Sequence, residues 1–262
     1  MFTYTPIDPI AIELGPLAVR WYGLMYVIGI LGGWWLGRVL ARRKYTPLNE
    51  QQVDDLVTWV ALGVILGGRF GSVLFYNFGD FLDHPLMLFE IWKGGMSFHG
   101  GMLGVSFSIW LFGRRNGVHF WDMNDFIAPV IAVGLGAGRI GNFINGELWG
   151  KPTDVPWGFI VDGVGRHASQ LYEAFFEGLC LFVIVWVYAL KPRPRMAVTG
   201  LFLAVYGLSR FGVEFVRLPD AHIGYMAWGW LTRGQVLSAP MVIGGILIII
   251  LAYRKPVFVK DL

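Results

Sequence analysis

The stretch DDLVTWVALGVILGGRFGSVLFYN, residues 54–77, carries one charge, Arg69, after its opening Asp54 and Asp55. A bilayer core of ~30 Å takes about 20 apolar residues per helix, so this stretch is read as a membrane span. The same ruler marks further spans at 19–40, 95–112, 122–140, 171–190, 199–217 and 236–253. The expectation is an all-α polytopic membrane protein with about seven transmembrane helices, residues 1–262 forming one transmembrane domain. The span at 122–140 decides the parity of the topology, because Asp122, Asn124 and Asp125 stand at its start and glycines crowd its end.

Composition agrees with a membrane solvent. Of 262 residues, 55% are hydrophobic and only 15% charged, and the mean hydropathy is +0.56, above what a water-soluble surface requires. The net charge of +3 and pI near 9.0 raise the question of nucleic acid, which the distribution of charge answers. Arg42, Arg43 and Lys44 follow the first span, Arg114 and Arg115 the third, Lys191, Arg193 and Arg195 the fifth, and Arg254, Lys255 and Lys260 the seventh. Basic residues in alternate loops mark the cytoplasmic side. The N-terminus is therefore expected outside and the C-terminus in the cytoplasm. The positive charge is a solvated cytoplasmic face, and no nucleic-acid partner is expected.

The opposite loops differ. Residues 78–94 carry Asp80, Asp83, His84, Glu90 and Lys93, and residues 141–170 are long and rich in Gly, Asn and Trp; function tends to occupy such loops. The N-terminal MFTYTPIDPIAIELG lacks the basic start and cleavage site of a signal peptide and is expected to stay in the chain, along the interface. The one cysteine, Cys180, excludes an intramolecular disulfide and a thiolate metal cluster.

Small residues spaced four apart recur at Gly29/Gly33/Gly37, Gly63/Gly67/Gly71, Gly100/Gly104 and Gly134/Gly138. In lipid they let helix backbones approach closely. The sequence shows no internal repeat of the kind that marks many transporters.

An ionisable side chain inside a span is costly and usually faces a cavity or a partner. Arg69, His99, Arg139, Arg210 and Glu214 are of this kind, and the expected topology places them, with Tyr22, in the outward-facing leaflet. Tyr206, Arg210 and Glu214 are spaced i, i+4, i+8 and share a helical face. One reading is a neutralising Arg210–Glu214 pair. The other is a surplus of arginine over carboxylate that binds an anionic guest, for which a guanidinium fork suits a phosphate oxygen.

GAGRIG, residues 136–141, formally matches a dinucleotide-binding fingerprint, but no strand precedes it and no βαβ unit follows. The surrounding GLGAGRIGNFINGELWG, 134–150, reads instead as a helix end breaking into exposed backbone, where Asn142, Asn145 and backbone N–H groups can bind phosphate or ester oxygens. His99 has two readings, a hydrogen-bonded structural histidine or a neutral imidazole that accepts a proton. The five histidines lack zinc-ligand spacing, so neither metal nor cofactor is expected. No GxSxG elbow occurs; Ser97 does not suffice for a serine hydrolase, and Cys180 reads as a small buried residue.

Five blocks in order, RWYGLMY (20–26), GGMSFHGG (94–101), GRIGNFINGELWG (138–150), RHASQLYEA (166–174) and YGLSRFGVEFVRLPD (206–220), make the chain resemble the prolipoprotein diacylglyceryl transferases along essentially its whole length. The resemblance implies seven transmembrane helices in a bacterial inner membrane, phosphatidylglycerol as donor, the lipobox cysteine of a prolipoprotein signal peptide as acceptor, a thioether product and release of glycerol-1-phosphate. On matching positions it implies a functional set of Tyr22, His99, Arg139, Asn142, Glu147, Gly150, Tyr206, Arg210 and Glu214. Arg139 and Arg210 would hold the phosphate, His99 would take the thiol proton, and Asn142, Asn145 and Arg69 would join the substrate contacts. Two other classes remain open at this stage. A carrier or channel for an anionic lipid or solute would use the same arginines without chemistry, and an intramembrane protease would need a Ser/His or paired-Asp arrangement that the sequence does not offer.

Overall fold

The computed structural model describes residues 1–15, 17–90, 96–219 and 224–259. Lys93, Gly94, Gly95, Asp220 and Lys260, named above, and His222, one of the five histidines, lie outside them. Among the described residues the chain is mostly helical. Its helices are α1 (Trp21–Ala41), α2 (Glu50–Tyr76), α3 (Phe78–Asp83), α4 (Phe98–Arg115), α5 (Phe120–Ile144), α6 (Ser169–Glu173), α7 (Leu181–Ala189), α8 (Ala197–Val213) and α9 (Arg233–Arg254). Residues Ala174–Cys180 wind as a π-helix that joins α6 to α7, and Pro85–Phe89 form a 3₁₀ turn.

Five helical stretches are long and apolar enough to cross a membrane: α1, α2, α5, the continuous Ser169–Ala189, and α9. Each covers a span expected from sequence. The other two expected spans are also helical. The apolar α8 has 17 residues, and the 18-residue α4 includes His99, Arg114 and Arg115.

Helix starts follow local chemistry. Asn49 and Gln52 form a reciprocal capping box at α2, as do Thr232 and Gln235 at α9. At α8 the capping residue, Met196, has a left-handed backbone (φ 76°) and no capping side chain. Asp125 of α5 supplies the cap instead, accepting from the Met196 N–H at 2.7 Å and from the Thr199 N–H at 2.8 Å. The acidic start of α5, an awkward feature for a span, thus satisfies donors that a helix start leaves orphaned.

The chain divides into two compact units, residues 1–40 with 124–262, and residues 41–123. In the second unit α2 packs on α4 through the glycines that the four-residue spacing singled out. A Cβ on Gly67 would lie 2.7 Å from Gly104 Cα, and one on Gly71 would lie 2.6 Å from Gly100 Cα. No larger residue allows that approach, which is how backbones associate in a solvent that gives no hydrophobic drive.

The first unit uses the same device three times. Gly29 of α1 meets Gly134 of α5, Gly136 of α5 meets Gly178 of the π segment, and Gly200 of α8 meets Gly245 of α9. Ala128, Ala132, Leu181, Val185, Ala189 and Val198 form the core between α5, α7 and α8. Two small sheets complete this unit. β1 (Phe2–Thr3) runs parallel to β4 (Phe159–Val161), which pairs antiparallel with β5 (Val164–Arg166); β2 (Ile10–Leu14) and β3 (Leu17–Arg20) form an antiparallel hairpin. The N-terminal stretch is therefore partly strand.

Candidate active site

Arg139 lies on α5 three residues beyond Gly136, and the glycine contact with Gly178 sets its register against the π segment. Glu173 and Glu177 approach it from that helix, with Arg139 Nε 3.0 Å from Glu173 Oε2 and Nη2 3.7 Å from Glu177 Oε2. π-helical turns inside α-helices are frequent at functional sites. Here the π segment begins beside one of these glutamates and contains the other, so both project into the same cluster.

Arg210 enters from α8. Its Nη1 donates to Glu173 Oε1 and lies 3.6 Å from Glu177 Oε1, while its Nη2 donates to Glu214 Oε1 at 2.5 Å. Arg217, in the turn after α8, donates from Nη1 to the same Glu173 oxygen at 3.0 Å. Glu173 therefore joins three guanidiniums from two different helix regions. Glu214 accepts a further bond at 2.7 Å from the Thr232 hydroxyl at the α9 cap, and Gly234 leaves room for its carboxylate.

Depth is graded across the cluster. The Glu173 and Glu177 side chains are 1% and 0% exposed, whereas Arg139, Arg210 and Arg217 retain 23%, 15% and 17%. Carboxylates form a floor and guanidiniums the accessible face above it. Buried charges persist only when paired and hydrogen-bonded, and this floor holds the arginine forks in fixed positions where an anion can reach them.

The sequence reading is corrected at this point. An arginine surplus was expected, yet the ion pairs join three arginines, Arg139, Arg210 and Arg217, to three glutamates, Glu173, Glu177 and Glu214. The Arg210–Glu214 pair exists, but within a larger network. Glu173 and Glu177 were missed even though they are ionisable residues four apart in the apolar QLYEAFFEGLC. The cost rule that singled out Arg139 applies to them equally.

Tyr22 of α1 lies against α5, where a Cβ on Gly141 would come within 2.8 Å of its ring. Its hydroxyl is 3.3 Å from that of Tyr26, the rings meeting edge to face at 5.1 Å. Tyr206, one turn before Arg210, stacks on Phe202 at 5.9 Å.

The 134–150 segment contains a helix end, as expected, but a late one. It stays helical to Ile144, so the N–H groups before that point are not free for a ligand. The Tyr4 hydroxyl donates to the carbonyls of Phe143 and Ile144 at the helix end, and the chain turns through Gly146 (φ 69°) and Leu148 (φ 61°). Glu147 then folds back, accepting from Asn142 Nδ2 and from Asn145 Nδ2, each at 3.2 Å. Gly150 has a steric role, since a Cβ there would lie 2.5 Å from the Val216 carbonyl oxygen and 2.9 Å from His167 Cβ. Around it Gly150 N–H donates to His167 O and Lys151 N–H to Val216 O, both at 2.8 Å, tying this segment to the turn that carries Arg217. His167 Nδ1 lies 3.1 Å from the Tyr172 hydroxyl, and burial holds its imidazole below the ordinary value.

Arg69 and His99 belong to the second unit. Arg69 is buried, with its guanidinium donating to the carbonyls of Met87 and Leu88 (3.2 Å to the latter), so it holds the 3₁₀ turn to α2. His99 stands exposed in the first turn of α4. Ser97 caps that helix, its hydroxyl accepting from Gly100 N–H at 3.2 Å. Among the described residues no group of His, Cys, Asp and Glu is arranged to hold a metal.

The family model described as prolipoprotein diacylglyceryl transferase matches residues 9–251. Curated relatives named phosphatidylglycerol-prolipoprotein diacylglyceryl transferase include one from Pseudomonas paraeruginosa, 56% identical over 258 residues, and one from Ectopseudomonas mendocina, 55% identical over 259 residues. A third, from Pseudomonas syringae pv. syringae, is 54% identical over 262 residues, and all three alignments cover 97% of both chains. The positions of the arginine and carboxylate cluster, 139 to 217, all lie inside the matched range, and the chain belongs to the prolipoprotein diacylglyceryl transferase family.

Proposed function

We propose that the chain transfers the diacylglyceryl group of phosphatidylglycerol to the lipobox cysteine of a prolipoprotein, forming a thioether and releasing glycerol-1-phosphate. The observation that carries this reading is the pair of forks, Arg139 and Arg210, fixed on a buried glutamate floor with their outer edges accessible. As the thiolate attacks the glyceryl carbon, the C–O bond to phosphate breaks and charge develops on the departing oxygen. Donors fixed in advance where charge develops lower the barrier most effectively.

In this reading Arg139 and Arg210 bind the phosphate, Glu214 and Glu173 orient Arg210, and Asn142, Asn145 and Glu147 contact the glycerol head group. Tyr22 and Tyr206 flank the donor, Gly150 keeps the adjoining segment closely packed, and His99 accepts the thiol proton. Arg69, bonded to backbone carbonyls, braces its own unit. The transfer is direct and uses no enzyme nucleophile.

The chain acts as one domain, residues 1–262, with seven helices across the bacterial inner membrane, its N-terminus and the functional 138–170 region on the periplasmic side. Alternating basic loops support that orientation. The test is mass spectrometry of a synthetic lipobox peptide incubated with purified protein and phosphatidylglycerol. A diacylglyceryl adduct on the cysteine with wild type, lost in Arg139→Ala, is the expected result. Folded wild-type protein that binds phosphatidylglycerol and returns it unchanged would overturn the transferase reading in favour of a carrier.

A further inference from the structure

Among the described residues the ion-paired cluster is balanced, three guanidiniums against three carboxylates, before any ligand arrives. Adding a phosphodiester leaves one negative charge in excess above carboxylates that are themselves buried, where unmatched charge is costly. The imbalance is relieved most simply if one carboxylate takes up a proton. The three carboxylates are unequal candidates.

Glu173 accepts hydrogen bonds from Arg210 and Arg217 and pairs with Arg139 at 3.0 Å. Glu214 accepts from Arg210 and from the Thr232 hydroxyl. Protonating either would forfeit charge-assisted bonds. Glu177 is fully buried, and among the described residues no donor reaches hydrogen-bond distance of either of its oxygens; the cations paired with it, Arg210 Nη1 and Arg139 Nη2, stand at 3.6 and 3.7 Å. It has the least to lose. When the phosphate engages Arg139 and Arg210 in place, its charge also offsets the cations that stabilise the Glu177 carboxylate, whereas the neutral acid can donate a hydrogen bond.

We propose that Glu177 is the proton-linked counter-ion of the donor site, taking one proton from solvent as the phosphodiester binds and returning it when the phosphate product leaves. The charged and titratable groups around it are Arg139 from α5, Glu173 from its own helix, and Tyr206, Arg210 and Glu214 from α8, with Arg217 in the following turn. None of them lacks a stabilising contact in the way Glu177 does. The inference rests on the donor-binding reading above and assigns Glu177 a positioning and charge-balancing role, without contact to the reacting atoms.

Calorimetry tests it by titrating short-chain phosphatidylglycerol into the full-length protein in detergent, in two buffers of equal pH and different ionisation enthalpy. Wild type takes up about one proton per lipid bound, and its donor affinity falls about tenfold per pH unit on the alkaline side. Glu177→Gln, an isostere of the neutral acid, binds the lipid with no proton exchange and a flat pH profile. Zwitterionic phosphatidylcholine, which adds no net charge, draws no proton into wild type, a comparison that needs no variant.

Binding of phosphatidylglycerol by wild type without proton exchange would overturn the role of Glu177. So would an unchanged proton count in Glu177→Gln, or equal uptake with phosphatidylcholine. Folded wild type that binds no phosphatidylglycerol would overturn the donor-site reading itself.

Discussion

Replacing Glu173 with alanine removes the carboxylate to which Arg139 Nε and Arg217 Nη1 are each bound at 3.0 Å and to which Arg210 also donates. Three guanidiniums then face two carboxylates, and a buried positive charge goes uncompensated. Breaking a buried pair from one side costs about 3–5 kcal/mol. The guanidiniums keep 15–23% of their exposure, so water offsets part of the loss. The lower end, about 3 kcal/mol, is the expected value, or about 6–12 °C in melting temperature for a chain of this size. Activity falls further than stability, because misplacing a positioning group by about 1 Å costs on the order of a hundredfold in rate. Thermal unfolding in detergent and single-turnover lipid transfer measure the two effects. Glu173→Gln, which keeps the shape and loses the charge, lies between wild type and alanine in both. An alanine variant melting within about 2 °C of wild type and transferring lipid within a factor of two would refute the claim that this carboxylate organises the arginines.

Arg139→Lys and Arg210→Lys keep the charge but lose the fork, and each lowers lipid transfer more than tenfold at saturating acceptor; near-normal turnover in both would remove the phosphate role. Gly67→Leu places a side chain where a Cβ alone would lie 2.7 Å from Gly104 Cα, costing about 1–3 kcal/mol as overpacking, read as a lower melting temperature; Gly117, with open space around its Cβ position but a φ of 68°, tests backbone strain separately. Asp125→Ala uncaps α8 and costs about 1–2 kcal/mol, measured by unfolding, with Asp125→Asn recovering part of it. Burial depresses the His167 value in the folded chain, so the stability from its neutral ring is complete above about pH 6.5 and is lost as pH falls through the lower folded value. His167→Gln should then melt with a flatter acid limb, and identical pH profiles would dismiss the contribution.

Helix placement was legible because it depends on local properties. A run of about 20 apolar residues leaves the backbone one economical way to satisfy its hydrogen bonds in lipid, and all seven expected spans are helical among the described residues. The four-residue glycine spacings predicted close packing for the same reason, since position on a helix fixes which face a residue shares. The family blocks were equally legible, and Arg139, Arg210 and Glu214 stood out as charges that an apolar helix carries only with partners.

Partnership required the tertiary structure. Nothing in the order of residues 134–150 shows that Arg139 meets Glu173 and Glu177, because that depends on which glycine pair, here Gly136 and Gly178, sets the register between two helices. Nor does sequence show that Arg69 is engaged with carbonyls, or that the helix behind the 122–140 span continues to Ile144. Apolar length and periodicity act along one helix and can be read from one segment. Charge balance is a sum over side chains from several helices, and only packing brings its terms together.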